Sequence, residues 1–371
     1  MTRTTTGAAM SADGENENTG TTTVPERLRV DVESLGRWLV THVEGFAGPL
    51  QVELFRGGQS NPTYLLTTPG ARYVMRSKPA PAARLLPSAH AIEREYRVLE
   101  ALARTDLPVP RVHALCENES VIGRAFYVME HVAGRVLWDQ SLPQASPEER
   151  AAIYDEMNRV IAALHSIDPE AIGLGGFGRP GNYFARQIAR WSSQYQASET
   201  ESIEAMDRLI DWLPAHLPPG DETSIVHGDF RLDNLVFDAQ APRIRAILDW
   251  ELSTLGHPLA DFSYHCMAWH IEPGQFRGIA GLDHAALGIP VERAYVQRYC
   301  ERTNRDPARV LEHWDFYLAY NLFRLAAILQ GIMKRAVEGT ASSAKAVEAG
   351  RRARPLAELG WRIAQRVKSP R

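Results

Sequence analysis

Between residues 50 and 133, β-patterned runs follow one another across mostly hairpin-like links, whereas a parallel crossover needs roughly a dozen residues or more. "LQVELFRGGQSNPTYLLTT" has two β-rich arms around "RGGQSNP", and "ARYVMRSKP" adds a third strand closed by proline. A turn-rich stretch leads to "SAHAIEREYRVLEALART", where Ile92, Tyr96, Leu99 and Leu102 share one helical face. "LPVPRVHALC" and "GRAFYVMEHVAG" then return to extended patterns. Strand, strand, strand, helix, strand, strand with hairpin-like links predicts an antiparallel sheet carrying one helix. A short amphipathic helix is expected ahead of it, near residues 31–44, from Leu35, Trp38 and Leu39.

After Gly134 the texture becomes helical. "SPEERAAIYDEMNRVIAALHSI" has Ser146 as N-cap, Pro147 at the first helical position and Glu149 at the capping-box spacing. A Gly-rich loop precedes a second helical tract at about 184–213; short strands surround residues 226–236, and from Asp261 onward the pattern is almost wholly helical. The expected class is α+β: an antiparallel-sheet N-terminal lobe with one key helix, then a larger, mainly helical C-terminal lobe, joined near residues 129–135. The expected boundaries are a tail over 1–25, a small lobe over 26–132 and a large lobe over 133–371. The opening segment, rich in Thr, Gly, Asn and Glu, lacks an apolar signal-peptide region and reads as disordered.

Composition narrows the partners. A net charge of −4 gives no basic footprint, so nucleic acid is not an expected partner. No apolar run approaches the roughly 18 residues of a membrane helix, so no membrane span is expected. Cys116, Cys266 and Cys300 are odd in number and widely spaced, in keeping with a reduced, cytoplasmic interior.

The chemistry concentrates in "VHGDFRLDNLV" at 226–236 and "AILDWE" at 246–251. The run "SIVHGD" delivers Asp229 to a loop, "NLVFD" leaves it and "IRAILD" returns with Asp249, so both carboxylates are expected at strand ends on a shared edge. Paired carboxylates beside an amide suit Mg²⁺, a hard cation that takes few protein oxygens and completes its shell with phosphate and water. A structural acid cluster that caps loops would use the same residue types. Aspartate, a basic residue two on, asparagine five on and a second aspartate beyond a hairpin is, however, the layout of a kinase catalytic loop and metal loop.

With "HGDFRLDN" and "LDWE", the chain resembles the aminoglycoside phosphotransferase, or choline-kinase-like, family of protein-kinase-like bilobal fold, over about residues 50–335. "GGQSNPTYLL", "REYRVLEAL", "LPVP", "LDWELSTLGHPLADF" and "FRLAAILQGI" resemble most the subgroup fused to acyl-CoA dehydrogenase domains. The resemblance implies an ATP- and Mg²⁺-dependent phosphotransferase. In it Asp229 accepts or aligns the acceptor hydroxyl's proton, Arg231 lies near the transferring phosphate, and Asn234 and Asp249 hold Mg²⁺. His227 is expected to buttress the loop, and Asp261 to steady it through backbone contacts; a helix N-cap is the plainer role for Asp261.

The same resemblance gives the sheet lobe to ATP. Gly57 and Gly58 would allow close backbone approach to phosphate, with Gln59, Ser60 and Asn61 as donors, although a Gly-Gly hairpin turn explains the same letters. Glu95 matches the kinase glutamate that pairs with a basic strand residue. Arg76 stands where lysine is usual, with Lys78 two residues on as the substitute partner. Glu130 and Val132 would present backbone to the adenine edge.

The expected acceptor is a small-molecule hydroxyl. Tyr183, Trp191, Trp269 and Arg324 fall in segments mixing aromatic and basic residues, which suits an apolar body with an anionic group better than a polycationic drug. Helix core with a solvated basic face is the plainer explanation. The subgroup resemblance implies a hydroxyacyl-CoA. An antibiotic kinase and a non-catalytic nucleotide-binding module stay open as rivals. A metal hydrolase built on His257, His265 and His270 has no common ligand spacing behind it.

Overall fold

The computed structural model describes residues 19–56, 61–79, 91–340 and 345–367. The chain divides into two units, Met1–Arg97 with Pro110–His131 and Val98–Val109 with Val132–Arg371. The smaller unit holds β1 (Thr21–Thr22), α1 (Val32–His42), β2 (Gln51–Phe55), β3 (Thr63–Thr67), β4 (Arg72–Ser77), the start of α2 (Ile92–Leu102), β5 (Val112–Cys116) and β6 (Phe126–Glu130). Its strands form one sheet in the order β1-β2-β3-β4-β6-β5, every neighbouring pair antiparallel. The mostly hairpin-like links had implied an antiparallel sheet.

Register explains the faces. Tyr64 lies opposite Met75, Leu66 opposite Tyr73 and Met75 opposite Val128. Period-two alternation therefore puts Tyr64, Leu66, Tyr73, Met75, Phe126 and Val128 on one face, where they form a core with Leu35, Leu39 and Val43. Asp31 caps α1 by accepting from the N–H groups of Glu33 and Ser34. Arg76 and Tyr127, cross-strand partners, occupy the alternate positions. Residues 1–18 of the expected tail lie outside the described residues. Thr21–Thr22 depart from the expectation of disorder by pairing with Phe55 and Leu54 as an edge strand, a place that suits β-branched threonine.

The larger unit continues through β7 (Arg135–Val136), α3 (Pro147–His165), α4 (Tyr183–Ser198), α5 (Glu204–Ala215), β8 (Ser224–Val226), β9 (Leu235–Phe237), β10 (Ile244–Ile247) and β11 (Thr254–Gly256). It ends with α6 (Pro258–Cys266), α7 (His284–Leu287), α8 (Glu292–Arg302), α9 (Pro307–Glu312), α10 (Trp314–Val337), α11 (Ala346–Gly350) and α12 (Ala353–Ala364). Ser146 caps α3 by accepting from the Glu149 N–H at 3.2 Å. The tract expected over 184–213 is two helices. Glu199 and Ile203 are extended, the polar run between them offers no apolar face, and buried Ile203 gives its N–H to Tyr195 Oη at 3.3 Å.

Two small sheets frame the motif. β10-β9-β7 is one and β11-β8 the other. The strand before Asp229 and the strand before Asp249 therefore belong to different sheets, which corrects the expected shared edge. β11 had not been anticipated, because "STLGHP" reads locally as a turn. α10 is long and apolar enough to cross a membrane by length and composition, contrary to expectation. Yet 83% of its apolar window is buried inside the protein, and it packs against α4, α6, α11 and α12. All three cysteines are buried thiols.

Candidate active site

The catalytic motif is shaped by one glycine. Chain direction reverses after β8 at Gly228, whose φ of +84° suits glycine; a Cβ there would also come 2.9 Å from Leu252 O. A 3-10 turn over Leu232–Asn234 leads into β9, and Leu235 pairs with Ile247 across the hairpin. One step further, the Leu248 N–H donates to Asn234 O at 2.8 Å, which brings Asp249 beside Asn234. Asp249 is left-handed (φ 65°, ψ 64°), a conformation that aspartate tolerates better than most residues. Such backbone outliers gather at functional sites.

Both oxygens of the Asp229 carboxylate are engaged. Oδ2 accepts from Asn234 Nδ2 at 3.0 Å and lies 3.0 Å from Arg231 Nε. Oδ1 accepts from Tyr264 Oη at 2.7 Å. Arg231 Nε is also 3.6 Å from Asp233 Oδ1, while Asp233 Oδ2 accepts from Arg277 Nη2 at 2.7 Å. Burial works against the Arg231 charge, but Asp229 and Asp233 outweigh it and hold the guanidinium firmly protonated.

Behind the loop, Asp261 accepts from the His227 N–H at 2.6 Å and the Gly228 N–H at 2.8 Å. It lies inside the first turn of α6, whose N-cap is His257, so it is not the cap. Its third partner is His165 Nε2 at 3.2 Å, and His165 Nδ1 is 2.7 Å from Tyr299 Oη. Burial lowers the His165 pKa, so the Asp261 contact is a hydrogen bond from a neutral ring rather than an ion pair. Burial also opposes ionisation of Asp261, yet the His165 hydrogen bond and the other donors prevail and hold its carboxyl below the ordinary range. His227 is fully buried and uses both ring nitrogens. Nδ1 accepts from the Asp229 N–H at 3.2 Å, and Nε2 donates to Leu248 O at 2.8 Å, which ties the two halves of the motif.

Of the expected acceptor residues, Arg324 and Trp191 gather near the loop. Arg324 Nη2 donates to Gly228 O at 2.8 Å, and its guanidinium lies 5.3 Å from the Tyr264 ring and 5.8 Å from that of Trp191. No carboxylate among the described residues forms an ion pair with Arg324. Tyr183 begins α4, buried beside Gly256, with burial raising its phenol pKa. Trp269 does not join them. Its ring packs on Tyr154, His265 and Tyr295 and its Nε1 donates to Pro290 O at 2.9 Å, so it is core.

In the smaller unit, Glu95 is the hub. It is 1% exposed, accepts from Tyr127 Oη at 3.0 Å, and lies 2.9 Å from Arg76 Nε. Lys78 pairs with Glu93 instead. Asn61, expected to face phosphate, is 1% exposed and gives its Nδ2 to Glu95 at 2.9 Å, which corrects that expectation. Gly57, Gly58, Gln59 and Ser60 lie outside the described residues. Glu130 ends β6 with its N–H on Arg111 O at 2.9 Å, and Val132 opens the second segment of the larger unit.

Among the described residues, no group of three or more His, Cys, Asp or Glu is arranged to hold a metal. Asn234 and Asp249 could still supply two hard oxygens: the Asn234 amide nitrogen is spent on Asp229, which leaves its carbonyl oxygen as the ligating end. Two protein ligands fit Mg²⁺, which keeps water and phosphate in its shell. Sequence reasoning had missed Tyr264, His165 and the Asp233–Arg277 pair.

An antiparallel sheet unit and a mainly helical unit carrying this loop define the kinase-like class. Residues 51–313 match the phosphotransferase enzyme family, to which the chain belongs. It is 48% identical over 320 residues to mouse acyl-CoA dehydrogenase family member 10, covering 85% of this chain and 29% of that protein. Against rat acyl-CoA dehydrogenase family member 11 it is 42% identical over 348 residues, covering 92% and 44%. The chain thus spans less than half the length of these relatives. A solved structure from Ralstonia eutropha JMP134, provisionally named an aminoglycoside phosphotransferase, is 64% identical with a TM-score of 0.83, covering 92% of this chain and all of the other. At the level of fold alone, choline kinase from Cryptosporidium parvum gives a TM-score of 0.63 at 13% identity, covering 91% and 96%. An aminoglycoside phosphotransferase in complex with ADP and hygromycin B gives 0.57 at 17%, covering 88% and 99%.

Proposed function

We propose that this protein transfers the γ-phosphate of ATP to a hydroxyl of a small molecule, with an acyl-CoA-like acceptor preferred to an aminoglycoside. The observation that carries the reading is the Asp229 carboxylate, oriented from one side by Asn234 and Arg231 and from the other by Tyr264. Asp229 takes the proton of the acceptor hydroxyl as the new oxygen–phosphorus bond forms and the bond to the ADP oxygen breaks. Arg231 places positive charge beside that carboxylate. Asn234 and Asp249 would hold Mg²⁺, whose charge offsets that of the phosphates. Arg76 and Glu95 form the buried pair that would anchor the nucleotide phosphates from the smaller unit.

Two observations support the acceptor class. The relatives named above carry acyl-CoA dehydrogenase names. Beside the loop stand aromatic rings and an arginine that makes no ion pair with a carboxylate among the described residues, a poor setting for a polycation. The test is mass spectrometry of products from ATP, Mg²⁺ and a metabolite extract, followed by kcat/KM for 3- and 4-hydroxyacyl-CoA against kanamycin. A clear preference for the drug overturns the acceptor reading.

A further inference from the structure

We infer that Tyr264 is a positioning residue for phosphotransfer: its hydroxyl fixes the Oδ1 side of Asp229 and so selects the direction from which an acceptor hydroxyl is taken up. The inference rests on the reading of Asp229 as the base. A carboxylate offers about four lone-pair sites on two oxygens. At Asp229, Oδ2 is engaged by Asn234 Nδ2 and neighboured by Arg231 Nε, each at 3.0 Å, while Oδ1 holds the Tyr264 hydroxyl at 2.7 Å. Rotation of the carboxylate would break contacts on both sides at once. One orientation is therefore held, and the acceptor must use the part of Oδ1 that Tyr264 leaves open.

The phenol is itself held. Tyr264 is 9% exposed and lies on α6 three residues after Asp261, so one short helix both grips the loop backbone and aims the hydroxyl at its carboxylate. Arg324 stacks on the ring at 5.3 Å and at the same time binds Gly228 O, the carbonyl just before Asp229. Burial, then the Asp229 charge, drives the phenol pKa far above its ordinary value of 10.0. The hydroxyl stays a donor at every working pH and cannot compete with Asp229 for the acceptor's proton.

Tyr264→Phe removes the donor and leaves the ring for Arg324 to stack on. Misplacing a reacting group by about 1 Å can cost roughly 100-fold, so kcat should fall about 10- to 100-fold while the KM for ATP stays within about twofold. ADP release would be followed with the full chain, ATP and Mg²⁺, using 4-hydroxyacyl-CoA as acceptor, or water if the thioester is not phosphorylated. Wild type, Tyr264→Phe and Asp229→Asn are compared, with thermal midpoints measured alongside. A drop in kcat at unchanged ATP KM and midpoint supports the inference. Wild-type kcat in Tyr264→Phe beside an inactive Asp229→Asn overturns it and leaves the base intact. Full activity in Asp229→Asn overturns both. A parallel fall of kcat, ATP affinity and midpoint in Tyr264→Phe marks general loosening and also overturns it.

Discussion

Asp261→Asn should destabilise the larger unit by about 2–4 kcal/mol. In the wild type, Oδ2 accepts from the His227 N–H and Oδ1 from the Gly228 N–H, with His165 as third donor. An asparagine keeps one acceptor oxygen. If that oxygen faces Gly228, the new NH₂ meets the buried His227 N–H donor to donor, which forfeits a charge-assisted bond worth roughly 1.5–3 kcal/mol and strands a group costing about 1–3 kcal/mol. His165 can change tautomer and recover its contact, and relief from burying a charge offsets part of the loss, which leaves the stated net. Urea unfolding followed by circular dichroism measures it. The pH dependence adds a second check. The folded carboxyl lies below its ordinary value of 3.8, so its contribution is whole above that value and is lost as pH falls through the lower folded one. The gap between wild type and variant should be constant from about pH 7 to 5 and narrow below about 4. A variant within about 1 kcal/mol of wild type would refute the argument that this carboxylate holds the loop.

Three further outcomes follow from the geometry. Asp229→Ala should cut turnover about 10²- to 10⁴-fold with nucleotide binding kept, whereas Asp249→Ala should also weaken Mg-ATP binding; calorimetric titration beside steady-state rates separates the two. Arg76→Ala should raise the KM for ATP more than Lys78→Ala, because it is Arg76 that lies against Glu95; the reverse ranking moves the anchoring role to Lys78. Burial pushes His257 and His265 down to about 4, so both bind protons more readily unfolded, and stability complete above pH 6.5 should fall as pH drops from 6.5 toward 4. Each contributes at most about 3 kcal/mol, and His265→Asn should flatten that stretch of a thermal-midpoint profile.

What the sequence revealed and what it hid divide along contact distance. Strands β2 to β6 were readable because alternation such as Tyr64, Leu66 and Tyr73, Met75 is local. The Ser146 cap declares itself within four residues. Asp229, Asn234 and Asp249 stand in a pattern spanning one hairpin. Tyr264 looked like any aromatic in a buried helix, since only the register of α6 against a loop 35 positions earlier turns its hydroxyl to Asp229. His165 reaches Asp261 across 96 positions, and Arg277 reaches Asp233 across 44. Trp269 misled for the opposite reason: an aromatic beside basic residues suggests a ligand surface, and only its packing on Tyr154 and Tyr295 makes it core.

The buried helix α10 also bears on how the chain is made. Its apolar length emerges from the ribosome before α11 and α12, two of the elements that cover it. At roughly 5–20 residues per second, the stretch from Val337 to Ala364 takes about 1–5 s to synthesise. For that interval a segment long and apolar enough to cross a bilayer has only the partners that precede it, α4, α5, α6 and α9 among them, for shelter. Nascent chains stalled so that α10 has cleared the ribosome and α12 has not should therefore be the ones that recruit chaperones or aggregate, and release of α12 should end the exposure.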